Sequence, residues 1–155
     1  MISLNNIGSA ADALHYFTHD NYYTQEEGLA QSQWWGEAAS RLGLSGQIDK
    51  EAFFRLLEGK VGEQELGRYE RNDQGVMQRQ HRPGTDMTFS APKSVSLLAE
   101  VAGNLEVRTA HEKAVNTVLA FVEKELTGSR ITTAGNTQWV NTGNLAVALF
   151  RHTTS

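Results

Sequence analysis

Apolar and polar positions alternate at the start of the chain: Ile2 and Leu4 fall on one side, Ser3 and Asn5 on the other, which predicts a short strand over residues 1–7. Gly8-Ser9 breaks it, and Ser9 is placed to cap a helix running through Ala10, Ala13, Leu14 and Phe17. Gln33 to Leu42 reads as an amphipathic helix with Trp34, Trp35, Ala38 and Leu42 inward, closed by Gly43. Asp49 caps the next helix, in which Ala52, Phe53, Leu56 and Leu57 recur at helical spacing before Gly59. Five glycines and many charges interrupt every period between Gly59 and Gly84, so this stretch reads as a long connection with one extended piece near Val76–His81. Thr85 to Phe89 alternates again, Met87 and Phe89 against Asp86 and Thr88. Ser90 is then expected to cap a short helix with Pro92 in its first turn and Val95, Leu98 and Ala102 as its stripe.

The most regular pattern is Asn104 to Leu126, where Val107, Ala110, Ala114, Val115, Val118, Leu119, Val122 and Leu126 repeat at three and four. His111 lies beside that stripe and reads as a partly buried structural histidine. Arg130–Thr133 and Gln138–Asn141, separated by Ala134-Gly135-Asn136, predict a hairpin, and Leu145 to His152 a last strand. The order of strand, helices, strand, helices and strands indicates an α+β domain with an antiparallel sheet and packed helices.

The length of 155 residues suits one domain, and 39% hydrophobic with 21% charged content is that of a globular chain. No cysteine is present, which excludes disulfides and thiolate metal sites. No apolar run has the length of a membrane span, and no Lys or Arg precedes Arg41, so neither membrane insertion nor a secretory signal is expected. The net charge of −4 argues against indiscriminate nucleic-acid binding, but the charge is unevenly spread. Residues 1–40 hold five acids and no Lys or Arg, whereas residues 68–93 carry Arg68, Arg71, Arg79, Arg82 and Lys93 against Glu70, Asp73 and Asp86. Such a strip can contact phosphates on an acidic domain, or be no more than a solvated polar segment.

Tyr16-Phe17-Thr18-His19-Asp20-Asn21-Tyr22-Tyr23 gathers three of the four tyrosines. Alone, such a cluster is ordinary core material; a phenol, with a pKa of about 10, becomes a nucleophile only where a site activates it. The junction from the Thr85–Phe89 strand through Ser90-Ala91-Pro92-Lys93 offers backbone N–H groups, hydroxyls and an ammonium together, a setting suited to a phosphate.

Paired tyrosine sites near the N-terminus, Gly84-Thr-Asp-Met-Thr-Phe-Ser-Ala-Pro-Lys-Ser-Val-Ser96, a long helix, and Thr142-Gly-Asn-Leu-Ala-Val-Ala-Leu-Phe-Arg-His-Thr-Thr-Ser155 stand here in one order. Together they resemble the N-terminal relaxase domain of the TrwC/TraI (MobF) family of conjugative relaxases, and the resemblance covers essentially the whole chain. It implies an HUH-endonuclease-like fold. It also implies an enzyme that nicks one strand of origin-of-transfer DNA by tyrosine attack, leaving a 5′-phosphotyrosyl link. By position, Tyr16 corresponds to the first nucleophile, and Tyr22 and Tyr23 to the pair that serves a later strand transfer. Asp86 corresponds to an acidic residue that orients a histidine ligand or accepts a proton. His152 corresponds to the first ligand of a three-histidine site for a divalent metal (Mg, Mn or Zn). Single-stranded origin-of-transfer DNA is the implied partner, with accessory proteins of the relaxosome and the conjugative coupling protein, in the bacterial cytoplasm. Arg79, Arg82 and Lys93 are the expected DNA contacts.

Two departures from the family pattern qualify this. Phe17 stands where the family usually has a second tyrosine, and the sequence stops before the His-x-His motif that completes the metal site, so residues 1–155 are expected to be the N-terminal portion of a domain. Alternatives are therefore a catalytically silent module that binds single-stranded DNA through its cations and aromatic side chains, and a domain that keeps the fold with no DNA role.

Overall fold

The structure, a computed structural model, describes residues 1–11, 13 and 32–151. In chain order its elements are β1 (Ile2–Ile7), β2 (Ser32–Trp35), α1 (Glu37–Arg41), α2 (Lys50–Leu57), β3 (Lys60–Val61), β4 (Gln64–Glu65), β5 (Arg68–Arg71), β6 (Met77–Gln80), β7 (Gly84–Phe89), α3 (Lys93–Ser96), α4 (Leu105–Phe121), β8 (Gly128–Thr133), β9 (Asn136–Asn141) and β10 (Val147–Phe150). Helices α3 and α4 each run on into a wider π turn, Leu97–Val101 and Val122–Leu126. Among the described residues the strands form antiparallel pairs, β1 with β7, β2 with β10, β3 with β4, β5 with β6 and β8 with β9. The architecture is α+β with antiparallel sheets, as the order of patterns predicts.

The main core lies where β2 and β10 meet α1 and α2. Trp34, Ala39 and Ile48 are buried there, with Phe53, Leu56, Ala148 and Phe150 packed against them. The Phe53 ring stands edge-on to Phe150, centroids 5.4 Å apart, and tilted to Trp34 at 6.4 Å. Aromatic pairs at such distances and angles add to what the buried area contributes.

Local signals explain most elements. Asp49 Oδ1 accepts from Ala52 N at 2.8 Å at the start of α2, and Asn104 Oδ1 accepts from the N–H groups of Glu106 and Val107 at the start of α4. Ser9 O accepts from Ala13 N at 3.0 Å, so a helical turn follows β1 as expected. The β8–β9 hairpin turns on Ala134 and Gly135, both at positive φ (51° and 82°), the pairing of a type I′ turn.

Four expectations are corrected. Residues 33–42 are not one helix: β2 occupies Ser32–Trp35, and Gly36, at φ 104°, separates it from α1. A Cβ on Gly36 would come within 2.1 Å of Leu145 O, so the chain there passes closer to its neighbour than any side chain allows. The two tryptophans that looked helical fit a pleated surface equally well, and pairing with β10 decides the matter. Residues 59–84 are not a long connection; they hold the β3–β4 and β5–β6 hairpins, and β6 coincides with the expected extended piece. Ser90 does not cap α3: its N–H and C=O pair with Met1, extending the β1–β7 ladder, and Pro92 takes the cap position with no side-chain bond. Finally, the π turns shift the phase of both apolar stripes. Ala99 is buried while Leu98 is half exposed, and Leu126 at the end of the long helix is 62% exposed.

Candidate functional site

Of the side chains predicted to act, Tyr16, Tyr22, Tyr23 and His152 lie outside the described residues. Asp86, Arg79, Arg82 and Lys93 lie within them, and the fold treats these four differently.

Asp86 sits half-buried on β7, directly across the ladder from Asn5 of β1. The same ladder pairs Ile7 with Gly84, so the helical turn that starts after β1 and the Arg82-Pro83 segment that precedes β7 emerge at one end of it. The chain that follows β1 and Arg82 therefore leave the ladder at the same end, where Gly84 is two positions from Asp86. At the other end β7 passes through Ser90 to Lys93, which is exposed at the start of α3. The four-residue α turn there, without a side-chain cap, is a lesser anion site than the sequence suggests.

Arg79 has a different position from the one expected of a DNA contact. Its Nη1 donates to Leu66 O at 2.8 Å and its Nη2 to Glu58 O at 2.7 Å. Glu58 follows the last turn of α2, so the guanidinium satisfies a carbonyl that the helix end leaves open and ties β6 to α2. Both terminal nitrogens of Arg79 are thus engaged inside the fold. Arg82 is exposed and has no ion pair among the described residues.

The basic strip becomes a two-stranded ribbon in the structure. Every residue of β5 is exposed, as are three of the four in β6, and Arg68 and Arg71 project from it. Arg68 pairs with Glu70 at 2.9 Å but keeps 78% of its side chain exposed. The turn is built by Asn72, whose Oδ1 accepts from Gln74 N and Val76 N, with Gly75 at φ 78°. Hydrophobic periodicity cannot reveal such a ribbon, because neither face is buried; the Asn-Asp-Gln-Gly turn was the available signal.

Strand β10 leads directly to Arg151 and thence to His152, and both its ends are fixed by carboxylates from the π turns. Ahead of the strand, Glu123 Oε1 accepts from Leu145 N at 3.2 Å and from Glu37 N at 2.7 Å, joining the strand's approach to the N-terminus of α1. Beyond the strand, Arg151 donates from Nη2 to Glu100 Oε1 at 3.1 Å and from Nη1 to Glu112 Oε1 at 2.8 Å. Arg108 donates to the other Glu100 oxygen at 3.2 Å, so two guanidinium groups and two carboxylates share a partly buried network. Sequence reading missed these glutamates, since nothing local distinguishes them from solvated helix positions. Among the described residues no group of three His, Cys, Asp or Glu side chains is arranged to hold a metal ion. Nor is any helix there long and apolar enough to cross a membrane.

The family model for TrwC relaxases matches residues 10–155. The multifunctional conjugation protein TraI of Escherichia coli is 42% identical over the whole of this chain, as is TraI of strain K12; the chain spans 8% of the length of each. Among solved structures, the conjugative relaxase TrwC in complex with oriT DNA, metal-free, is 36% identical with a TM-score of 0.76 over 98% of this chain and 50% of that one. A copper-bound structure of TrwC with oriT DNA is 37% identical, with a TM-score of 0.75 over 98% of this chain and 51% of that one.

Proposed function

The chain belongs to the TrwC relaxase family, and from that membership we propose that it carries the nucleophile-bearing part of a conjugative DNA relaxase. What supports this reading above all is the match over 98% of the chain to relaxases solved with oriT DNA. In it, the Tyr16 phenol oxygen attacks a phosphodiester phosphorus of one strand. The bond from phosphorus to the 3′ oxygen breaks, the 3′-hydroxyl leaves protonated, and the 5′ phosphate stays on the tyrosine. Because the ester energy is retained, the reverse attack rejoins a strand without ATP. Tyr22 and Tyr23 serve the later transfer, and Phe17, which has no phenol, takes no nucleophilic part.

In this reading Asp86, half-buried on β7, orients a histidine or accepts the phenol proton. Exposed Arg82, Arg68, Arg71 and Lys93 supply the cations that meet the DNA backbone, whereas Arg79 serves by holding the ribbon to α2. One of the TrwC structures is copper-bound and another metal-bound; in this chain a divalent ion would find His152 as a ligand and would stabilise the charge on the phosphate. The described residues do not fit such an ion by themselves. Relaxosome accessory proteins and a coupling protein complete the proposed partners.

The decisive test is Tyr16→Phe in the full-length protein, incubated with a single-stranded oligonucleotide spanning its own origin of transfer. Wild type should give a protein–DNA adduct that survives denaturing electrophoresis, and the variant none. An adduct on the variant would refute Tyr16 as first nucleophile; none on either protein would refute the relaxase reading.

A further inference from the structure

We propose that the β8–β9 hairpin is a stacking platform for single-stranded nucleic acid, in which Trp139 receives a base and Arg130 the adjoining phosphate. The proposal deepens the DNA-processing reading above by adding a binding site to it.

Register sets the composition of each face. Gly128, Arg130 and Thr132 stand directly opposite Asn141, Trp139 and Thr137, and residues directly opposite share a face. Trp139 is 65% exposed, unusual for the largest apolar side chain of a folded domain. Its indole is nevertheless seated. A Cβ added to Gly128 would lie 2.6–2.7 Å from Cε2, Cζ2 and Nε1, so the ring rests on the glycine backbone in space that any other residue would fill. One side of the ring is supported by the strand and the remainder is open to solvent.

The platform is also anchored. Thr132 and Thr137 join their hydroxyls at 2.8 Å on one side of the Arg130–Trp139 pair. On the other, Asn141 Nδ2 donates to Lys124 O at 2.7 Å, which fixes the hairpin base to the π turn after α4.

The choice of occupant follows from what surrounds the ring. Residues 127–143 contain a single charged side chain, Arg130, and no carboxylate, in a chain of net charge −4. An apolar protein partner would need apolar neighbours around Trp139, but Ile131 and Val140 belong to the opposite face, and this face offers Arg130, Thr132, Thr137 and Asn141. A flat ring beside a cation and several hydrogen-bonding groups matches a base with its phosphate. A duplex keeps its bases stacked and offers none, so the strand must be single.

The test measures anisotropy of a labelled oligothymidylate titrated with the full 155-residue chain, with tryptophan emission followed in parallel. Trp139→Ala should weaken binding about tenfold, and Trp139→Phe, which keeps a ring, should stay within about threefold of wild type. Binding should quench wild-type emission, and most of the quench should be lost in Trp139→Phe, because Trp34 is buried and Trp35, in β2, is only partly exposed. Arg130→Gln should lower the salt slope by about 0.7, the share of one phosphate contact on a single strand. Unchanged affinity in Trp139→Ala, a quench that is largely kept in Trp139→Phe, or equal dependence on Trp139 with a duplex of the same length would each overturn the platform. Failure of the wild-type chain to bind the oligonucleotide would also overturn it. In every such case the Tyr16 adduct assay decides separately whether the relaxase reading stands.

Discussion

Strand β10 and the β8–β9 hairpin are neighbours in sequence, yet their surroundings differ. Carboxylates from the two π turns hold β10 at both ends, and its four residues are all partly buried against β2 and the aromatic core. The hairpin is joined to α4 and its π turn at its base, through Asn141 and the Thr127–Thr142 bonds, and every residue from Ser129 to Thr142 is exposed. In the function proposed above, the difference separates two tasks. A strand that delivers a residue to a reaction centre has to be fixed in position from several sides. A ribbon that meets a long flexible ligand needs its side chains free and only its base fixed. The β5–β6 ribbon follows the second pattern, with Arg79 as its fixed base and Arg68 and Arg71 as exposed side chains along it.

The largest effect expected from breaking this arrangement is at Gly36. The substitution Gly36→Ala would bring a methyl group against Leu145 O and require alanine at φ 104°, which together should cost at least ~3 kcal/mol. Urea unfolding of the full chain checks this, and the same substitution at Gly135, where a Cβ meets nothing within 4 Å, supplies the contrast. There only the left-handed conformation is strained, at ~1 kcal/mol. Equal losses at the two sites would remove the distinction between a fixed strand and a free hairpin.

How far these regions could be read in the sequence follows from the same distinction. Elements with one covered face announce themselves: β7, α2 and α4 fall where alternation or helical spacing put them, with Asp49 and Asn104 as the helix caps, and β1 follows its alternation although Ile2 and Leu4 are exposed. Strands β4, β5 and β6 are exposed at all but one position and so carry no period. The Trp34-Trp35 segment failed for another reason, since four apolar and polar residues fit a strand or a helix turn, and the partner strand lies over a hundred residues away. Candidate chemistry was legible as residue types in a family order. The use of Arg79 as an internal brace and of Glu100 and Glu123 as fasteners was not, because each depends on a carbonyl, amide or guanidinium distant in sequence.

A smaller effect separates two ion pairs. Arg151→Met leaves Glu112 without its cation and Glu100 with Arg108 alone, in a network whose side chains are 26–49% exposed, and should cost ~1–2 kcal/mol. Arg68→Gln removes a pair in which the arginine is 78% exposed and should change stability by less than ~0.5 kcal/mol. DNA affinity should show the reverse order if the ribbon meets phosphates, with Arg68→Gln lowering it and its salt dependence, and Arg151→Met leaving the salt slope unchanged. Paired measurements of unfolding and of binding at two salt concentrations test both halves. Loss of stability on the ribbon, or of a phosphate contact at Arg151, would break the assignment of fixed and free regions.

The smallest expected effect is a gain. Ala134 is the single non-glycine residue at positive φ among the described residues, at 51°. An alanine there is strained by ~1 kcal/mol, and asparagine, whose short amide can bond locally, tolerates the conformation better. Ala134→Asn would give the turn Asn-Gly, the sequence most favoured for a type I′ hairpin. It should stabilise the hairpin by ~0.5–1 kcal/mol, seen as slower amide exchange in Ile131, Thr133 and Gln138. The strands are joined to the rest of the fold at their base, so this hairpin opens by itself, and β10 amides should exchange as before. If the gain instead appears equally in β10, the hairpin and the strand unfold as one unit, and the stacking platform is a rigid part of the core rather than a free arm.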